Sequence, residues 1–168
     1  LPKDYISDNF NLAQLPPIVE RIGYQAMGDD AIHTDEDSLI PPYAIQKAAE
    51  ALYLMIHARF VISPRGLEAI RQVMTMDNTV FGKCPRSTCR GTGLLPYGYS
   101  NDYTSANTAS ATTSKSSLCH RYCPFCGEVW ISWDSKTDGC AWGPSWCHLF
   151  LMCFGSQVYA KELIAAAA

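Results

Sequence analysis

Two fragments, CPRSTC and CPFC, constrain this chain more than anything else in it. They hold Cys84, Cys89, Cys123 and Cys126, with a proline directly after the first cysteine of each pair. A C-x4-C or C-x2-C turn presents two sulfurs from one tight loop. Two such loops folded face to face complete the tetrahedral four-thiolate set that suits zinc. Pro85 and Pro124 stiffen the turns, and Cys126 with Gly127 can then bend sharply into EVWISW. Residues 90–122 separate the pairs. Lengthening a flexible loop by about ten residues costs only a few tenths of a kcal/mol, so the separation does not count against a shared site. Four protein ligands leave zinc no open position, which makes such a site structural and not catalytic.

Other readings of the cysteines are weaker. All eight lie between residues 84 and 153. A disulfide scaffold suits small secreted chains, but the opening LPKDYISDNF has no basic, apolar leader pattern. With 168 residues, 48% of them apolar, the chain can build a core without staples. It begins at Leu1 and not Met, so the natural start is expected upstream. Buried cysteines without metal, or a redox C-x-x-C, are the alternatives; the latter lacks a βαβ pattern around Cys123. Cys119, Cys140, Cys147 and Cys153 read as small core residues. His120 and His148 each follow a cysteine and could in principle substitute as ligands.

The texture changes along the chain. Residues 1–80 read as a helical domain. DYISDNFNL suggests a short helix or turn, and PPIVERIGYQAM opens on prolines and spaces Ile18, Ile22 and Met27 at near-helical intervals. An acidic loop near 29–38 carries Asp29, Asp30, Asp35, Glu36 and Asp37. YAIQKAAEALYLMIHARFVI then reads as a long helix, apolar on nearly every side as in the interior of a bundle. Ser63 can cap, and Pro64 can open, a following helix through Met76. His57, inside the apolar run, reads as a hydrogen-bonded core residue. Residues 81–154 read as a small ribbon with a three-stranded antiparallel sheet, its β-favouring fragments being HRYC, EVWISW and HLFLMCF. A Ser/Thr/Ala-rich insertion near 101–117 reads as a flexible excursion. Residues 155–168 form a C-terminal extension without a clear pattern. The fold class is thus α+β: an all-helical N-terminal domain followed by a four-cysteine zinc ribbon.

Trp130, Trp133, Trp142 and Trp146 crowd into this ribbon. A small ribbon can fill its core with large rings, but a three-stranded one hardly buries four. An association surface is the favoured reading, since tryptophan is enriched at binding hot spots.

In order along the chain, DYISDNFNL, AAEALYLMIHARFVISPRGL, FGKCPRSTC, LLPYGYS, YCPFCGEVW and DGCAWGPSWCHLFLM resemble the regulatory (beta) subunits of casein kinase 2, from about Asp4 to Met152. The resemblance implies a helical domain beside a zinc ribbon, one structural zinc per chain on Cys84, Cys89, Cys123 and Cys126, and a homodimer joined through the ribbons that carries catalytic kinase subunits. It also implies binding of basic proteins or polyamines at the acidic loop, and a place in the cytoplasm, the nucleus or both. The insertion near 101–117 and the sequence after Met152 depart from the family pattern, and the family's kinase-gripping tail is not recognisable here.

The chain is not itself a kinase: it has no G-x-G-x-x-G loop, no H-R-D and no D-F-G. A net charge of −3 argues against a nucleic-acid binder held by phosphate contacts. No apolar run approaches the roughly 18 residues of a membrane span. The functional expectation is a non-catalytic regulatory and docking subunit of a serine/threonine protein kinase. The alternative is a structural component of a larger assembly that keeps the fold and dimer surface without kinase regulation.

Overall fold

The computed structural model describes residues 1–27, 40–101, 118–131 and 137–160. The acidic loop near 29–38, Trp133 and nearly all of the insertion near 101–117 lie outside the described residues. The chain divides into two compact units, Leu1–His57 and Ala58–Ala168.

In the first unit, α1 (Lys3–Ile6) and α2 (Asn9–Leu12) are single turns. Asp8 starts α2 by accepting the N–H of Phe10. α3 (Pro16–Met27) places Pro16 and Pro17 in its first turn, where no backbone N–H is needed, and buries Ile22 and Met27. α4 (Pro42–Val61) has the 20 residues expected of it. Its apolar girdle is covered on one side only. Ala44, Ala51, Met55 and Ile56 are buried, while Tyr43, Ile45 and Tyr53 stay about half exposed. His57 is half-buried, with its ring against that of Tyr53 one turn earlier.

The second unit begins within the end of α4. Ser63 is extended, its hydroxyl accepts the N–H of Gly66, and Pro64 opens α5 (Pro64–Met76), as the local sequence predicts. Gly66 permits the close approach: a Cβ there would run into the Phe60 carbonyl. The sheet is β1 (Leu95–Tyr97), β2 (His120–Tyr122) and β3 (Val129–Ile131), antiparallel in the order β1-β2-β3. Leu95 pairs with Tyr122, and Tyr122 with Val129.

One expected strand is a helix. HLFLMCF belongs to α6 (Trp146–Val158). After His148 the run is short and apolar throughout, and such a run fits either element by pattern alone. Burial decides it: Trp146, Cys147, Phe150 and Val158 fall on one helical face and fill a core with Val61, Leu67 and Met74 of α4 and α5, and with Leu95 of β1. Phe81, Trp142, Trp146, Phe150 and Phe154 form a continuous row of rings, with successive centroids 4.7–5.8 Å apart. Arg71, held by Glu68 at 2.6 Å, lies over the Phe154 ring.

The row corrects one expectation. Trp146 is fully buried in its own chain, and its indole Nε1 donates to the Pro96 carbonyl at 2.6 Å. Its ring closes the core between α6 and β1 and is not available as a surface anchor. Trp142 is partly buried against the same core.

Replacing Trp146 by alanine removes the largest buried ring and orphans the Pro96 carbonyl. The unit should lose about 3–5 kcal/mol, read from denaturant unfolding of the purified chain. Met152→Ala, at an 85% exposed position of the same helix, should stay within about 0.5 kcal/mol of wild type.

Candidate metal centre

Each cysteine pair sits in a turn closed by its own backbone hydrogen bonds. In the first, the Cys84 N–H donates to the Thr92 carbonyl, Leu94 N–H donates to Gly82, and Lys83 bridges to Gly93. A single 3-10 turn, Ser87–Cys89, ends at Arg90 in the left-handed region (φ 51°) and brings the second sulfur round. Thr92 locks this turn: its N–H and its hydroxyl both donate to the Cys89 carbonyl. In the second pair, the Cys123 N–H donates to Glu128, and the Gly127 N–H returns to Cys123. Gly127, at φ +71°, supplies the reversal that a residue with Cβ adopts only under strain. The chain then enters β3, so the sheet that carries Cys123 out of β2 also receives the chain after Cys126.

The two turns meet sulfur to sulfur. The four Sγ atoms of Cys84, Cys89, Cys123 and Cys126 all lie within 4.8 Å of one another. Cys84 and Cys126 are 3.9 Å apart, and Cys89 and Cys123 are 4.0 Å apart. A disulfide needs about 2.05 Å. A tetrahedron with metal–sulfur bonds of about 2.3 Å has edges of about 3.8 Å. The observed pairs match the second figure. Three of the sulfurs are buried and Cys126 is half-buried. Arg86 reaches across from the first turn to Glu128 on the second at 3.2 Å.

Burial pushes the Cys123 thiol up to about 12, against the pull of the backbone N–H groups of Cys126 and Phe125. Cys89 is raised too, by burial and then by its neighbours Cys84 and Cys126. Cys126 goes the other way: burial raises it, but the Glu128 N–H and the surrounding thiols outweigh that and lower it. Four thiolates this close repel one another unless a cation sits among them. The arrangement is therefore compatible with a structural metal: four soft ligands, tetrahedral spacing, and backbone donors aimed at the sulfurs.

The remaining cysteines stay outside. Cys119, Cys140 and Cys147 are buried singly and Cys153 is exposed. Among the described residues the four-sulfur group is the one cluster of three or more metal-ligating side chains. His120 and His148 are not in it. The His120 Nδ1 lies 2.7 Å from the Leu118 carbonyl, and His148 packs on Tyr122. Thr92, Arg86 and Glu128 escape sequence reasoning because their roles depend on how the turns meet. The one local hint is the short reach from Cys89 to Thr92.

A helical segment followed by a three-stranded antiparallel sheet, with two cysteine turns converging on four sulfurs, defines the class: an α+β protein built round a candidate four-cysteine metal site. The family model for the casein kinase II regulatory subunit matches residues 1–164, and the chain belongs to that family. It is 30% identical over 164 residues to casein kinase II subunit beta-3 of Arabidopsis thaliana, covering 92% of this chain and 53% of that protein. It is 28% identical over 171 residues to casein kinase II subunit beta of Dictyostelium discoideum, covering 96% and 57% respectively. A Suppressor-of-stellate-like protein of Drosophila melanogaster is 31% identical over 154 residues, 90% of this chain and 60% of the relative. The chain spans about half the length of the curated relatives it matches.

Cys123→Ala removes the most deeply buried sulfur and should abolish metal retention, measured as metal per chain after gel filtration. Exhaustive chelation of the wild type should disorder the cysteine turns while most of the helical circular dichroism persists. Isolated zinc-finger peptides gain about 10–16 kcal/mol from their ion, as much as many domains possess in total.

Proposed function

We propose that this chain is a non-catalytic regulatory and docking subunit of a serine/threonine protein kinase holoenzyme, built on one structural zinc and self-associating through its ribbon. The observation that carries the reading is the match to the regulatory-subunit family over residues 1–164, with all four metal-type sulfurs brought together. Zinc is the ion of choice because four thiolates in a closed tetrahedron suit a soft, redox-inert dication. Its role is to hold the two turns as one rigid surface. The chain's own residues supply the rest: Arg86 and Glu128 tie the turns together, and Thr92 and Gly127 set their curvature.

The self-association surface we assign to the ribbon is apolar and exposed. Phe125, in the second turn, is 43% exposed, and Ile131, at the end of β3, is 63% exposed. Trp130 and Trp142 are half-buried in the same unit. Isologous pairing is the commonest way for such a patch to cover itself. The acidic stretch near 29–38 is assigned to basic proteins or polyamines on its five carboxylates. The cytoplasm, the nucleus or both are the places that the family resemblance implies. Among the described residues no helix is long and apolar enough to cross a membrane.

A second reading, a structural component of another assembly, draws on the Drosophila relative whose name contains no kinase. Mixing the chain with a purified casein kinase II catalytic subunit separates the two. Co-elution on size exclusion with an altered kinase rate supports regulation. Separate elution at high micromolar concentration would leave the structural reading.

The zinc-loaded chain should sediment as a dimer. Ile131→Asp should move it toward monomer by roughly thirtyfold in affinity, the size of a typical hot-spot loss of about 2 kcal/mol, with zinc retained. A monomeric wild type at high micromolar concentration would exclude the ribbon as a self-association surface.

A further inference from the structure

We infer that the indole N–H of Trp130 is a hydrogen-bond donor to the sulfur cluster when the cluster holds its ion, which makes Trp130 a positioning residue of the metal centre. This rests on the zinc reading proposed above and adds a residue to it. The Trp130 ring packs against the cluster formed by Cys84, Cys89, Leu94 and Cys123. Its Nε1 is sealed from solvent and, among the described residues, has no hydrogen-bond partner.

A buried indole N–H ordinarily finds an acceptor. Trp146 in the same unit shows the ordinary case, with its Nε1 on the Pro96 carbonyl at 2.6 Å. The Trp130 ring packs instead against a cluster that contains the ligand cysteines Cys84, Cys89 and Cys123 together with Leu94, and a neutral thiol is a weak acceptor. A thiolate bound to a dication is a better one. Four thiolates and one divalent ion carry a net charge of about −2, and an N–H facing that charge gains a charge-assisted bond.

Chain connectivity places the donor well. Trp130 lies two residues beyond Glu128, whose carbonyl accepts the Cys123 N–H and closes the second turn. On the other side its position is fixed by the β2 register, opposite Arg121. The strand that follows ligand Cys126 therefore also sets the indole. Groups that support metal ligands in this way commonly change metal affinity by 10–100-fold when removed.

The test uses the full chain labelled with 15N and loaded with zinc or with 113Cd. The Trp130 indole resonance is assigned by through-space contacts to Val129 and by its loss in Trp130→Phe. Ion binding should move that resonance downfield, slow its exchange with water, and give it a coupling to 113Cd through the sulfur. Trp130→Phe, which keeps an aromatic ring without the N–H, should still hold one ion per chain but bind it about 10–100 times more weakly in chelator competition. An indole resonance indifferent to the ion, or a phenylalanine variant with wild-type affinity, overturns the inference while leaving the zinc site standing. A wild-type chain that takes up no ion overturns both. Assigned through its contacts to Val129 alone, the resonance can be followed in wild-type protein, so it decides the matter even where the variant folds poorly.

Discussion

Four sulfurs held within 4.8 Å of one another are the constraint on which the second unit depends. Three are buried, and their crowding is tolerable only as neutral thiols or round a cation. Everything nearby serves that approach. The Thr92 hydroxyl and N–H fold the first turn, and Gly127 reverses the second. Arg86 and Glu128 join the turns on the exposed side, where an isolated ion pair contributes at most about 1 kcal/mol. The sheet is too short to hold these turns alone, with three residues in each strand. A structural ion would supply what the strands lack.

The other half of the unit is held by a different kind of interaction. The ring row from Phe81 to Phe154 and the buried faces of α5 and α6 make an ordinary apolar core behind β1. Leu95 and Tyr122 face this core from the sheet, while Leu94 and Trp130 pack against the sulfurs. The small sheet thus has an apolar cluster to satisfy on one side and a sulfur cluster on the other. Trp146 and Trp130 divide accordingly, one bonded to a carbonyl and one packed against the cysteine cluster with its N–H buried. Two tryptophans that look equivalent in sequence have unequal surroundings, and only one has a protein acceptor for its N–H among the described residues.

Much of this was legible from local pattern. The start of α5 needed only Ser63 and Pro64, because a cap and a first-turn proline act within four residues. The four site cysteines were legible for the same reason: ligand pairs on tight turns have fixed spacings. What failed was non-local. After His148, HLFLMCF carries no polar residue to mark its period, and its helical state is decided by packing against Val61, Leu67, Met74 and Leu95, far back in the chain. Trp146 was read as surface because the bulk of α6 behind it was counted as strand. Once that helix exists, the unit has volume enough to enclose the ring. The α4 girdle misleads in the opposite sense, since Ile45 and Tyr53 are apolar yet about half exposed.

The central claim is that these four sulfurs hold one zinc ion in each chain and that the regulatory-subunit architecture is built on it. X-ray absorption at the zinc edge, on chain purified without added metal, tests it most directly. The account predicts one zinc per chain with a first shell of four sulfurs at about 2.3 Å. A shell containing nitrogen or oxygen, or protein that folds and associates without zinc, would contradict it.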